Sequence, residues 1–199
     1  MDSIFGFVGD KYVLLACDDQ VGRSVLKIKG KEDKIIPLDD NKALALSGEA
    51  GERLQFGDFI QKNVHLQKFK YDKKMTTKET ANFMRSEMAQ ALRRSPFFCQ
   101  TLLAGFDGDE PSLYWIDYLA TCQKVKSGAQ GYCGYFLGGL FDAEWKKDMT
   151  YEEGKALMKK CFKQLSDRFL MTQNSFKIKI INKDGVKEVT SDFFLDVEK

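Results

Sequence analysis

Strand-forming and helix-forming segments alternate in blocks along this chain of 199 residues. Residues 4–8 and 12–17 are apolar, β-prone runs, and the connection at 9–11 has the length and the glycine of a hairpin turn. Three more β-prone runs follow in the first quarter, at residues 25–28, 34–38 and 43–46. The beginning of the chain therefore predicts antiparallel sheet.

Two capping boxes mark the starts of later helices. Thr76 is followed three residues later by Glu79, and Thr150 by Glu153, so that each side chain can bond the other residue's backbone amide. Apolar residues recur at helical spacing after each box and also over residues 48–69. Further β-prone segments complete the order at residues 99–106, 112–117, 175–182 and 186–189.

The elements follow the order strands, two helices, strands, two helices, strands. This order suits an α+β fold of four layers. Two antiparallel sheets would stack face to face, with a helix layer on each outer face. Periodicity alone does not separate this layout from other α+β arrangements. Because 199 residues can bury about 70% of the unfolded chain's surface and no Pro-rich or Ser-rich linker interrupts them, we expect one domain over residues 1–199.

The charge balance excludes two classes of partner. Lysine and arginine number 31, against 29 aspartates and glutamates, which is too even for a protein that binds nucleic acid or an anionic membrane. No apolar run is long enough to cross a bilayer, and the first residues lack the pattern of a signal peptide. We therefore expect a soluble intracellular protein.

The cysteines predict a reducing compartment. They are odd in number and scattered through apolar runs, at Cys17, Cys99, Cys122, Cys133 and Cys161. This pattern suits reduced thiols in a core better than a disulfide framework or a zinc site.

Several other residues that could belong to a catalytic or metal site are better explained by structural roles. His65 is the single histidine and lies on a predicted helix, where a surface position is expected. Asp107, Asp109 and Glu110 lack the alternating ligands of a calcium loop and predict a solvated turn. The glycines of residues 128–134 precede no Lys-Ser or Lys-Thr pair, so they predict tight packing at a helix start. No metal or cofactor site is expected.

Several motifs resemble those of proteasome beta subunits, in the same order and spacing. They begin with Tyr-Val-Leu-Leu-Ala-Cys-Asp-Asp at residues 12–19, Lys-Ile-Ile-Pro-Leu at 34–38 and Ala-Leu-Ser-Gly-Glu-Ala-Gly-Glu at 45–52. The series continues at residues 102–107, 113–118, 131–132 and 149–154. Together they are most similar to the non-catalytic beta subunit at the fourth ring position of the eukaryotic 20S core. The resemblance implies an N-terminal nucleophile hydrolase fold, which is an α-β-β-α sandwich.

The resemblance also implies that the catalytic nucleophile is missing. Active relatives use the hydroxyl of an N-terminal threonine, with the α-amine of the same residue as base. By count from Asp18, the position of that threonine is taken by Asp2, whose carboxylate has no hydroxyl to activate. Ser3 would serve only after the removal of two residues, and nothing here resembles the propeptide that active members cleave.

Two supporting positions survive by resemblance. Asp18 and Lys34 match the aspartate and lysine beside the nucleophile of active relatives, and would be vestigial here. From the residues alone, Asp18 can equally be a strand-end aspartate that caps a loop, and Lys34 a strand lysine with its ammonium in water. The serine of active members is replaced in the region of Tyr132 and Cys133, and their second aspartate aligns near Phe169.

The resemblance further implies partners and a location. The chain would lie in a seven-membered beta ring between the beta subunits at positions three and five, stacked on an alpha ring and facing a second beta ring. It would close the chamber for ATP- and ubiquitin-dependent protein degradation in the cytoplasm and nucleus, without a cofactor. The alternatives are a stand-alone binding module of the same fold, or a peptidase that uses Ser3 or Cys133.

Three large apolar residues, Phe193, Phe194 and Leu195, lie close to the end of the sequence, where order is usually lost. Burial of each would contribute roughly 1.5–3 kcal/mol before the cost of ordering. The sequence leaves open whether they contact a partner or their own domain.

Overall fold

The computed structural model describes residues 2–23, 26–169, 173 and 175–194. Its strands in chain order are β1 (Ser3–Gly9), β2 (Tyr12–Asp18), β3 (Val21–Arg23), β4 (Leu26–Lys29), β5 (Ile35–Asp39), β6 (Lys42–Gly48), β7 (Cys99–Asp107), β8 (Glu110–Ile116), β9 (Cys122–Val125), β10 (Ser127–Gly131), β11 (Phe176–Asn182) and β12 (Gly185–Glu188). Its helices are α1 (Ala50–Tyr71), α2 (Thr77–Ala91), α3 (Gly134–Glu144), α4 (Tyr151–Arg168) and α5 (Ser191–Phe194).

Two antiparallel sheets form the centre of the fold. The first sheet has the strand order β10-β1-β2-β11-β12, and the second has the order β5-β6-β7-β8-β9. Strands β3 and β4 pair in a separate ribbon. The chain passes from the second sheet to the first between β9 and β10, with Lys126 alone as the connection.

Apolar side chains from the two sheets meet in one buried layer. Ile4, Val13 and Leu15 of the first sheet belong to the same cluster as Ala45 and Leu102 of the second. The other face of the first sheet packs against α3 and α4, and the other face of the second packs against α1 and α2. The predicted α-β-β-α sandwich is confirmed.

Alternation along β1 shows how one strand contributes to two cores. Ile4 faces the second sheet, whereas Phe5 and Phe7 face α3 and α4, because successive side chains of a strand point to opposite faces. The ring of Phe5 packs edge-on against Phe162 and Phe176, with centroids 6.0 and 5.9 Å away. A strand between two layers must be apolar on both faces, which explains its unbroken apolar run.

Both predicted capping boxes are present. At the start of α4, the Thr150 hydroxyl accepts a hydrogen bond from the backbone N–H of Glu153, whose carboxylate accepts one from the N–H of Thr150. Thr76 and Glu79 make the same two bonds at the start of α2. Each box satisfies N–H groups that the first turn of a helix leaves without partners.

Replacing Thr150 by alanine is expected to lower the free energy of unfolding by about 1 kcal/mol, because the hydroxyl acceptor is lost. Urea denaturation of the full chain measures this change. Thr150→Ser keeps the hydroxyl and should stay close to the wild type. An equal loss in both variants would mean that the threonine methyl group, and not the cap, is responsible.

The structure corrects the sequence-based expectations at several strands. Strands β3, β9 and β10 were not expected, and β10 covers most of the glycine-rich segment before α3 begins at Gly134. The turn expected over residues 107–111 is shorter, since β8 already contains Pro111. Pro111 pairs with Phe106 of β7, while β9 reaches only as far as Leu113, so no strand needs an N–H from the proline on that side.

Near the end of the sequence, Phe193 is buried against the α4 side chain Phe162, with ring centroids 6.3 Å apart. This contact favours folding back onto the same domain for that residue. The side chain of Phe194 and residue 195 lie outside the described residues.

The strand expected over residues 25–28 corresponds to β4, which covers Leu26–Lys29. Residue 25 lies outside the described residues.

All five cysteines are free thiols, and each except the half-buried Cys122 is buried, as expected of core residues. Of the helices within the described ranges, none combines the length and the apolar character needed to cross a membrane.

Candidate functional site

A buried ammonium lies at the centre of the candidate site. Lys34, the residue before β5, has a fully buried side chain. Its Nζ lies 2.7 Å from Asp2 Oδ1, 2.7 Å from Asp18 Oδ2 and 2.8 Å from the backbone oxygen of Gln20. An ammonium has three protons to donate, so this one is fully bonded. The expectation that the ammonium of Lys34 lies in water is wrong.

Asp18, the last residue of β2, joins the ammonium to the start of β1. Its Oδ1 accepts a hydrogen bond from the backbone N–H of Ser3 at 2.7 Å, and its Oδ2 accepts one from the N–H of Gln20 at 3.2 Å. The second bond is the loop cap that the sequence allowed, and it coexists with the contact to Lys34. Burial raises the pKa of the Asp18 carboxyl, while the charge of Lys34 acts in the opposite direction.

The carboxylate of Asp2 is held on its second side as well. Its Oδ2 accepts a hydrogen bond from the backbone N–H of Gly48 at 3.1 Å and lies 3.8 Å from Nε of Arg53. Gly48 has a φ of +129°, and a Cβ there would approach the backbone oxygen of Phe98 to 2.3 Å. Only glycine therefore lets this N–H point into the site.

An N–H directed into a site in this way can stabilise an oxyanion during acyl transfer. Here the carboxylate of Asp2 already accepts hydrogen bonds from that N–H and from the ammonium of Lys34. The arrangement holds a negative charge but offers no hydroxyl and no free base at the same point. Its chemistry is that of a satisfied ion cluster.

The backbone of Asp2 lies close to a second glycine. Gly131, at the end of β10, has a φ of +81°, and a Cβ there would approach the backbone oxygen of Asp2 to 2.1 Å. A cleft of about 460 Å³ opens beside this contact. It is lined by Asp2, Ser47, Gly48, Phe98, Gln100, Tyr118, Gly131 and Tyr132.

Ser3 and Cys133 are not arranged as nucleophiles. Ser3 is buried in β1, on the face opposite to Ile4 and the second sheet. The buried thiol of Cys133 lies within hydrogen-bond distance of the backbone oxygens of Ile4 and Gln130 and can donate its one proton to either. Burial raises the pKa of Cys133 to about 12. His65 is exposed on α1, in the helix layer on the other side of the sandwich, so it is no partner for the thiol.

The remaining positions named by the sequence have structural contacts. Tyr132 is exposed at the cleft, and Phe169 packs edge-on against Phe136 of α3 at 5.3 Å. The carboxylate of Asp107 accepts a hydrogen bond from the first N–H of α2, and Glu110 pairs with Lys124. In the described part of the chain, no three His, Cys, Asp or Glu side chains group as metal ligands would.

Sequence reasoning missed two contributors to the site, Gly48 and Arg53. Arg53 is buried on the same side of α1 as Phe56, Ile60 and Val64. The sequence did carry a signal, because Arg53 falls at helical spacing with these apolar residues and therefore on the face that is buried. It was obscured because the neighbouring residue Leu54 is apolar and yet exposed, so the apolar residues of this segment do not all mark the buried face.

The sequence is similar to known proteins over nearly its whole length. Residues 2–181 match the family described as "Proteasome: Proteasome subunit". Proteasome subunit beta type-2 of Oryza sativa subsp. japonica is 42% identical over 197 residues, which cover 98% of this chain and 93% of the relative. The beta type-2 subunit of Dictyostelium discoideum is 38% identical, with 94% and 96% covered. The beta type-4 subunit of Saccharomyces cerevisiae is 35% identical, with 95% and 97% covered.

Proposed function

This chain belongs to the proteasome subunit family, and we propose that it is a catalytically silent beta subunit of the 20S core particle. Its relatives carry the names beta type-2 and beta type-4, and they match over nearly their full lengths. The role is structural: the chain contributes one segment of the beta ring that encloses the proteolytic chamber.

One observation carries the proposed silence. The position that the resemblance gives to a nucleophilic threonine holds Asp2, and both of its carboxylate oxygens accept hydrogen bonds. A threonine nucleophile needs a hydroxyl and a neighbouring base, and a bonded carboxylate supplies neither. The burial of Ser3 and Cys133 argues against a substitute nucleophile.

The partners proposed here follow from the same family. The chain contacts the beta subunits at ring positions three and five, an alpha ring on one side and a second beta ring on the other. We place the assembly in the cytoplasm and nucleus. Exposed apolar side chains on several faces are compatible with extensive subunit contacts, for example Leu26, Leu66, Phe69 and Tyr135.

Native mass and chemical labelling test this function together. The endogenous chain, tagged gently and purified, should run in a particle far larger than its own 22.7 kDa and bring other alpha and beta subunits with it. An electrophilic peptide probe directed at N-terminal threonines should label some of those partners and leave this chain unmodified.

Ser3→Ala and Cys133→Ala provide the matched controls. Both variants should leave peptide hydrolysis by the purified particle unchanged, since neither residue is placed to attack a substrate. Labelling of this chain, or loss of hydrolysis in either variant, would establish a peptidase. A monomer that hydrolyses nothing would instead identify a binding module of the same fold.

A further inference from the structure

The groups around Asp2 have the composition of a receptor for a carboxylate. Lys34 Nζ, Arg53 Nε and the backbone N–H of Gly48 approach its two oxygens from different elements: the start of β5, the first turns of α1 and the end of β6. Both cationic side chains are at least 96% buried, so neither is well solvated without an anion beside it.

Arg53 depends on Asp2 more than Lys34 does. Lys34 has a second acidic partner in Asp18 and a third acceptor in the backbone of Gln20. Within the part of the chain that the structure describes, Asp2 is the acid at ion-pair distance from Arg53, and Glu32 interacts with the guanidinium at longer range. Among the same residues, the buried Nε makes no hydrogen bond. If the carboxylate of Asp2 is removed, the buried guanidinium of Arg53 therefore has no anion at ion-pair distance among the described residues.

We propose that Lys34, Arg53 and the amide of Gly48 form a carboxylate-binding site, and that Asp2 is its internal ligand. The chain supplies the anion from the residue before β1. Gly131 lies so close to the backbone of that residue that a Cβ would not fit between them. While Asp2 is bound, carboxylates in solution are excluded. This site is a property of the folded chain and does not depend on assembly with other subunits.

Shortening residue 2 should open the site to a small carboxylate of matching size. Asp2→Ala removes one carboxylate group, which corresponds to formate. Asp2→Gly removes the methylene group as well, which corresponds to acetate. Formate should therefore stabilise the alanine variant more than acetate does, and acetate should stabilise the glycine variant at least as well as formate.

Thermal melting of the full chain tests this exchange of preference. Asp2→Ala should lower Tm by roughly 5–10 °C, because a largely buried ion cluster loses one partner. For a Kd of about 10 mM, about 100 mM sodium formate should restore roughly 3–6 °C relative to sodium chloride at equal ionic strength. The wild type should respond equally to the two salts, since Asp2 fills the site.

Two control variants separate the site from a general salt effect. Asp40→Ala removes the acid from an exposed pair with Lys74 and should show no preference for formate over chloride. Asp2→Ala combined with Lys34→Met removes the receptor and should abolish the response. A formate effect of equal size in all variants, or none in Asp2→Ala, would overturn the proposal.

A second variant covers the case in which Asp2→Ala does not fold. Asp2→Asn fills the same volume and keeps one acceptor oxygen for Lys34, while its amide NH2 takes the place of the oxygen that faces Gly48. Because the site stays filled, this variant should ignore both carboxylates. The refolding yield of Asp2→Ala would then be compared in formate and in chloride. A higher yield in formate supports the carboxylate site, and equal yields reject it.

Discussion

Replacing Lys34 by methionine should lower the free energy of unfolding by about 3–5 kcal/mol, the usual cost of removing one partner from a buried ion pair. Methionine fills a similar volume but leaves the carboxylates of Asp2 and Asp18 close together without their shared cation. The backbone oxygen of Gln20 also loses its donor. Urea or guanidinium denaturation of the full chain gives the change directly.

Lys74→Met is the matched control for this variant. Lys74 pairs with Asp40 at 2.6 Å, a distance as short as those in the buried cluster, but both partners are largely exposed. Exposed pairs contribute little, so this variant should unfold at nearly the wild-type denaturant concentration. If Lys34→Met were equally mild, the buried cluster would have no structural importance.

Phe5→Ala should be comparably severe, with a loss of about 3–5 kcal/mol. Phe5 is fully buried between β1 and α4, and its ring contacts Phe162 and Phe176. Truncation leaves a cavity that the paired strands on both sides of β1 cannot close. The midpoint of denaturation should fall, while the slope with denaturant should stay unchanged.

Phe69→Ala makes the same chemical change where no cavity can form. Phe69 is 84% exposed on α1, so the isolated chain should keep its stability. A large loss for Phe69→Ala would mean that this ring is covered in the folded chain. A small loss for Phe5→Ala would show that the layer beneath α4 repacks freely.

The sequence predicted the parts of the fold whose signals are local. The hairpin of β1 and β2 follows from two apolar runs around a glycine-containing connection, and the helices α2 and α4 follow from their capping boxes. These features depend on residues that lie close together in the sequence. They form the frame on which the two sheets and their helix layers are arranged.

Strand β10 shows why other parts were missed. Its sequence, Ser-Gly-Ala-Gln-Gly, carries no strand propensity of its own. It is extended because β1 offers a partner along its length, and because Gln130 donates hydrogen bonds to the backbone oxygens of Thr101 and Ile116 in the second sheet. Tertiary pairing overrides local preference here, and no window of sequence contains that information.

Some residues of the candidate site could likewise be predicted from the sequence, and others could not. Asp2, Asp18 and Lys34 were named in advance by resemblance to motifs, and the structure brings the three side chains together. The contribution of Arg53 depends on how α1 is rotated about its axis over the second sheet. The apolar pattern of the helix did not predict that rotation. That the three residues are vestiges of a catalytic site stays a prediction.

The order of strands in the first sheet has a consequence for how the chain is made. Hairpin β1-β2 leaves the ribosome before the other elements of this fold, but its neighbours β10 and β11 begin only at Ser127 and Phe176. The second sheet, from residues 35–125, can close while the hairpin still has two unpaired edges. We expect the docking of β11 to be the slow step of folding, since it joins the most distant parts of the sequence. Until then, the earliest strands are the ones most exposed to aggregation.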